Sequence, residues 1–117
     1  MNKRGMKNVG EIDLGSATNH FFAFEADPSQ PMLELTHNHD RTESYDKGDG
    51  YAHVAFTVDG LDETVERLKS QGVNVTLELK ILTADGNDYK IAFVEDPDGY
   101  KVELVERGTL KVGEMYQ

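Results

Sequence analysis

An internal repeat constrains this chain more than any other feature. The run Ala23-Phe24-Glu25-Ala26-Asp27-Pro28 returns 69 residues later as Ala92-Phe93-Val94-Glu95-Asp96-Pro97. Seven residues past each Asp stands a Glu between apolar neighbours: Glu34 in Met32-Leu33-Glu34-Leu35, and Glu103 in Lys101-Val102-Glu103-Leu104. Upstream, Lys3-Arg4-Gly5-Met6-Lys7 matches Ser70-Gln71-Gly72-Val73-Asn74 with a shift of two residues. Such a repeat fixes architecture before any local reading, because each copy is one supersecondary unit. Each copy reads as a strand, a helix and three more strands. The second has its opening strand at Tyr51–Val58 and its helix at Leu61–Gln71. The equivalent elements of the first would precede Gly5, so the first copy is expected to lack them.

A length of 117 residues supports one domain with a modest core. No apolar run is long enough to span a bilayer and no signal-peptide core is present, which points to a soluble, cytoplasmic protein with no membrane partner. The absence of Cys excludes a disulfide framework, a thiolate metal site and a thiol nucleophile. The 22 acidic residues outnumber the 12 basic ones, giving a net charge of −10. No basic stripe exists to meet a phosphate backbone, so nucleic acid is not an expected partner.

Along the chain, Met6–Glu11 and Asn19–Glu25 read as strands joined by a turn at Asp13–Ala17. Pro28, Gln30 and Pro31 make a second turn before the strand Met32–Thr36. Asn38–Gly50 is polar, holds two glycines and reads as a loop long enough to be a linker or a binding loop. In Tyr51–Val58, Ala52, Val54, Phe56 and Val58 fall on one face, and Tyr51, His53, Ala55 and Thr57 on the other. Asp59 is placed to cap the next helix, Leu61, Val65 and Leu68 form its apolar stripe, and Gly72 ends it. Val73–Leu79 and Tyr89–Glu95 are further strands, separated by turn residues within Ala84–Asp88. Asp96-Pro97-Asp98-Gly99 is a tight turn before the last strand, Tyr100–Glu106.

Strand parity sets Glu34 opposite in direction to Leu33 and Leu35, and Glu103 opposite to Val102 and Leu104. His53 points away from Val54 and Phe56. With the apolar faces packed beneath helices, these three side chains share the concave face. Two carboxylates and an imidazole there suit a divalent transition metal with open coordination positions. Either Glu alone would be an ordinary solvated strand residue; what singles them out is their shared position in the two repeats.

Three segments carry a family resemblance: Glu34-Leu35-Thr36-His37-Asn38, Gly50-Tyr51-Ala52-His53-Val54-Ala55, and Ala92-Phe93-Val94-Glu95-Asp96-Pro97-Asp98-Gly99-Tyr100-Lys101-Val102-Glu103-Leu104. Together they resemble glyoxalase I, the lactoylglutathione lyases of the vicinal oxygen chelate superfamily. The helix Leu61–Lys69 looks like that family's second-module helix. The resemblance implies an α+β fold of paired βαβββ modules, the first missing its opening strand and helix. The modules would be a partial first one at 1–38, a linker loop at 39–50, a complete second one at 51–107 and a tail at 108–117.

In the family, a His and a Glu from each module hold the metal. Glu34, His53 and Glu103 carry over; the first-module His would lie before Met1, as would an Arg that contacts glutathione. Asn38 sits where the family contacts glutathione. Asp49 falls where some members have an Arg, and Leu77–Lys90 departs from the family's Lys- and Gly-containing loop. The short spacing from Glu34 to His53 resembles the type activated by Ni2+ or Co2+ rather than Zn2+. The implied reaction converts the hemithioacetal of methylglyoxal and glutathione to S-lactoylglutathione, with Glu103 as base and metal ligand. The family's homodimers imply the same here. With three of four ligands, metal binding and turnover of this chain are expected to be reduced. The alternative is a non-catalytic binding module of the same superfamily.

A second metal pattern, His37-x-His39-x-x-x-Glu43, looks like part of a cupin motif. Cupins require a Gly where Pro31 stands, a second His-bearing motif and an all-β chain, and the helix at Leu61–Gln71 argues against them. His37 and His39 read as loop residues near the site, and His20 as an ordinary strand residue.

Overall fold

The computed structural model describes residues 5–25 and 30–108. Lys3-Arg4 and Ala26-Asp27-Pro28 of the first repeat copy, and the tail beyond Gly108, lie outside the described residues. The chain divides into two compact units. Among the described residues, one holds the chain up to Glu43 together with the turn Ala84–Asn87, and the other holds Ser44–Thr83 and Asp88–Gly108.

The first unit is a three-stranded antiparallel sheet of β1 (Lys7–Asp13), β2 (Ala17–Ala23) and β3 (Leu33–Asn38), with β2 in the centre. Gly15, at φ 90°, closes the β1–β2 turn, where its N–H donates to Asp13 Oδ1 at 2.8 Å. This tight closure lets β1 run on to Asp13 and β2 begin at Ala17, two residues outside the boundaries read from the sequence. A bulge between Asn8 and Gly10 interrupts β1. On β2, Ala17, Phe21 and Ala23 are buried on one face.

The register here departs from the repeat. Phe93 opposes Glu103 in the second unit, so the residue 69 positions earlier, Phe24, should oppose Glu34. Instead Phe21 opposes Glu34, and Phe24 lies exposed beyond the end of β2. Pairing puts Glu34 on the face of Ala17, Phe21 and Ala23, while Leu33 and Leu35 lie on the opposite, exposed side. The expectation that a helix covers the leucines fails in this unit, because no helix is present among its described residues.

The second unit is a full strand–helix–three-strand module. After a four-residue helix, α1 (Lys47–Gly50), come β4 (Val54–Val58), α2 (Leu61–Ser70), β5 (Val75–Ala84), β6 (Asn87–Glu95) and β7 (Lys101–Glu106). The sheet order is β4-β7-β6-β5, with β4 parallel and β6 antiparallel to β7. A parallel neighbour needs a crossover connection, and α2 opens that crossover. Its stripe works as read: Leu61 and Val65 are fully buried and Leu68 partly so, against Ala92, Val94 and Leu104.

Both ends of α2 have identifiable causes, and only the C-terminal one matches the sequence pattern. At the C-terminus Gly72, at φ 82°, donates to Lys69 O and Val73 donates to Leu68 O, each at 3.0 Å. This paired pattern satisfies the last carbonyls, as the glycine indicated. At the N-terminus the cap is Gly60 in the left-handed region, not Asp59. The first N–H, of Leu61, donates instead to Glu106 Oε1 of β7 at 3.2 Å, while Asp59 Oδ1 accepts from Arg107 at 2.8 Å. A carboxylate from the sheet therefore answers the positive end of the helix.

Two further boundaries moved. β5 reaches Ala84 rather than Leu79, because Asp85 (φ 55°) and Gly86 (φ 77°) form a two-residue turn that keeps both strands paired up to it. β4 starts at Val54 rather than Tyr51, and its apolar face is only partly packed: Val58 lies against the core, but Val54 is 46% and Phe56 56% exposed. β4 is the edge strand of its sheet, whereas α2 lies over the neighbouring strands. Alternation alone does not distinguish an edge strand from a central one.

Candidate metal centre

The helix face of the second sheet carries Leu104, Ala92, Val94 and Val102. Period-two alternation then sends Glu103 and Phe93, directly opposed across β7 and β6, to the other face. The Asp96 turn holds that register. Asp96 Oδ1 accepts from the N–H groups of Asp98 at 2.9 Å and Tyr100 at 2.8 Å, and Gly99 takes the left-handed position at φ 88°.

His53, just before β4, reaches across to this face. Its Nε2 lies 2.8 Å from Glu103 Oε1, and the imidazole stands edge-on to the Phe93 ring, with centroids 4.9 Å apart and planes at 88°. The two polar side chains are 23% and 18% exposed. His53 and Glu103, 50 residues apart in sequence, thus form a directed, half-buried pair of metal-ligating groups. An open concavity of about 670 Å3 adjoins His53 and Phe93.

Glu34 lies on β3 of the first unit, exposed at the strand surface. Asn38 lies four residues further on the same face, with Thr36 between them donating to Asn19 Oδ1 at 2.8 Å. Among the described residues, no three His, Asp or Glu side chains converge as a metal-binding group. The structure brings His53 and Glu103 together within the second unit, and Glu34 and Asn38 belong to a strand of the first. Phe93 was not singled out as a site residue, although its place in the repeated motif and its parity with Glu103 signal it.

The remaining histidines separate. His20 is on β2, paired with Glu11 at 3.2 Å, an ordinary strand residue as expected. His37 belongs to β3 rather than to a loop, because β3 extends to Asn38 to match Ala17. His39 follows it and makes a 2.8 Å hydrogen bond with Thr18 Oγ1.

Comparison with known proteins bears on the whole chain. The model of the glyoxalase/bleomycin resistance protein/dioxygenase superfamily matches residues 5–104. The lactoylglutathione lyase of Neisseria meningitidis is 43% identical over 108 residues, covering 91% of this chain and 76% of that protein. The lactoylglutathione lyase of Salmonella typhimurium is 44% identical over 86 residues; the match covers 74% of this chain but 62% of the relative. Among solved structures, methylmalonyl-CoA epimerase from Mycobacterium tuberculosis superposes with a TM-score of 0.66 at 26% identity, covering 90% of this chain and 73% of that one. The expected α+β architecture of strand–helix–strand modules is borne out, and the chain belongs to the glyoxalase/bleomycin resistance protein/dioxygenase superfamily.

Proposed function

We propose that this chain carries the lactoylglutathione lyase reaction of methylglyoxal detoxification, converting the hemithioacetal of methylglyoxal and glutathione to S-lactoylglutathione. The observation that carries the reading is the 2.8 Å pair of His53 and Glu103, set in a chain 43% identical to a lactoylglutathione lyase. The superfamily neighbour with an epimerase name shares the fold, but the sequence identity favours the lyase.

The glyoxalase I family implies a divalent metal, and the donors present fit one in kind: an imidazole nitrogen and a carboxylate oxygen, half-buried beside an aromatic ring. Glu34, His53 and Glu103 would hold it, with Ni2+ or Co2+ favoured over Zn2+. When bound, the ion supplies Lewis-acid polarisation of the two adjacent substrate oxygens. Glu103 would take the proton from C1 of the hemithioacetal and return it to the neighbouring carbon, so that the conversion is an isomerisation with no proton gained or lost. Phe93 stands edge-on to the His53 ring and so would help to orient it. Asn38 would present its amide to the glutathione backbone. The active form is proposed to be a homodimer working in the cytoplasm.

The test follows S-lactoylglutathione formation from methylglyoxal and glutathione with nickel added. Glu103→Gln should lower turnover by roughly 10²–10⁴-fold, the usual contribution of a positioned base. Unchanged turnover in that variant overturns the assignment. A second reading, a non-catalytic binding module, draws on the lack of three converging donors among the described residues. It predicts ligand binding without turnover in the wild-type chain.

A further inference from the structure

The concavity beside His53 has two lysines in its described lining. The chain carries 22 acidic residues against 12 basic ones, yet among the residues whose side chains are described Lys47 and Lys101 border this space and no Asp or Glu does. Its other walls include the rings of Tyr51, Tyr100 and Phe93, of which the two tyrosines are largely exposed. Elsewhere in the same unit Lys69 pairs with Glu78, Lys90 with Asp62, and Arg107 with Asp59, whereas Arg67 and Lys80, outside the lining of the concavity, make no ion pair among the described residues. Lys47 and Lys101 make no ion pair among the described residues. The nearest carboxylates to Lys101 by strand register are Glu95, directly opposite and accepting from Asn74 Nδ2 at 3.2 Å, and Glu103, engaged with His53.

We propose that Lys47 and Lys101 are specificity-determining residues that hold a carboxylate of the thiol cosubstrate against the aromatic wall of this concavity. The proposal rests on the reading of the chain as acting on a glutathione adduct, and adds how the thiol is chosen. Two ammonium groups at the rim attract an anionic arm over a longer range than the aromatic contacts act. The exposed tyrosine rings offer apolar area to the backbone of that arm. A thiol whose carboxylates are blocked forfeits the first contribution and keeps the second.

Calorimetry on the nickel-supplemented protein at low ionic strength, with S-hexylglutathione and its diethyl ester as probes, tests this. The free acid should bind about tenfold more tightly than the ester, a difference within reach of two exposed ion pairs. Lys47→Gln combined with Lys101→Gln should remove that preference while leaving ester affinity nearly unchanged. Lys69→Gln combined with Lys80→Gln makes the same change in net charge away from the concavity and should leave the preference intact. Equal affinities in the wild type, or a preference that survives Lys47→Gln/Lys101→Gln, overturn the proposal and leave the lyase reading standing. If neither probe binds, both fall, while nickel binding lost in His53→Ala still reports separately on the metal ligands. A preference lost equally in the control pair also overturns it, because bulk charge would then suffice.

Discussion

Asp96→Ala is expected to weaken the fold and the site together, because one turn sets the register of both. The wild-type carboxylate accepts two backbone N–H groups, from Asp98 at 2.9 Å and Tyr100 at 2.8 Å. The backbone closes the same turn independently, with Gly99 N–H donating to Asp96 O at 3.0 Å and Asp96 N–H donating to Tyr100 O at 2.9 Å. Alanine deletes the first two bonds and keeps the last two. The freed N–H groups lie at the surface and turn to water, so each lost bond costs about 0.5–1.5 kcal/mol, or roughly 1–3 kcal/mol for the pair. Asp96→Asn retains a side-chain oxygen for these donors and should lose less than half as much. Urea unfolding monitored by circular dichroism measures both. Since the turn also sets Glu103 opposite Phe93, nickel affinity should fall in Asp96→Ala and stay near wild type in Asp96→Asn. An Asp96→Ala protein within about 0.5 kcal/mol of wild type, the scatter of ordinary surface changes, would refute this account of the turn.

Leu61→Ala removes a fully buried side chain that packs on Ala92, Val94 and Leu104, and should destabilise by about 2–5 kcal/mol in the same urea assay. Gly60→Ala forces an L side chain into φ 64° at the start of α2, and should destabilise by roughly 1 kcal/mol, whereas Gly48→Ala, in open space, should not. The Lys90 ammonium is held above its ordinary value of 10.5 by its hydrogen bond to Asp62, with Glu106 and Glu63 adding attraction. A raised lysine contributes stability that is fully present below 10.5 and is lost as pH rises through the higher folded value, so Lys90→Met should flatten the alkaline limb of the stability curve. Light scattering at micromolar concentration should report a dimer; a well-behaved monomer rules out the homodimer.

What was legible in the sequence had strong local chemistry. Gly72 announced the end of α2, Asp96-Pro97-Asp98-Gly99 announced its turn, and strand parity sent Glu103 away from Leu104 toward His53. What failed depended on partners that sequence patterns do not encode. Asp59 looks like a cap, but Arg107 engages it and Glu106, from 45 residues away, answers the helix instead. Val54 and Phe56 alternate as a buried face should, yet β4 is an edge strand and α2 packs elsewhere. Phe24 and Glu34 match Phe93 and Glu103 in the repeat, but β2 ends at Ala23 and Glu34 opposes Phe21. A repeat in sequence conserves the order of elements better than the pairing between them, because one altered turn shifts every partner downstream. Lys101 lies inside a motif and Lys47 outside one, and only the folded concavity brings them to one rim.

Nickel titration by calorimetry tests the central claim most directly, that His53 and Glu103 form the core of a divalent-metal site. The wild-type chain should bind one equivalent of nickel per protomer. His53→Ala, which removes the imidazole 2.8 Å from Glu103 Oε1 without touching the buried core, should abolish that binding while the circular dichroism spectrum stays unchanged. Equal nickel affinity in the wild type and a folded His53→Ala protein would contradict the claim.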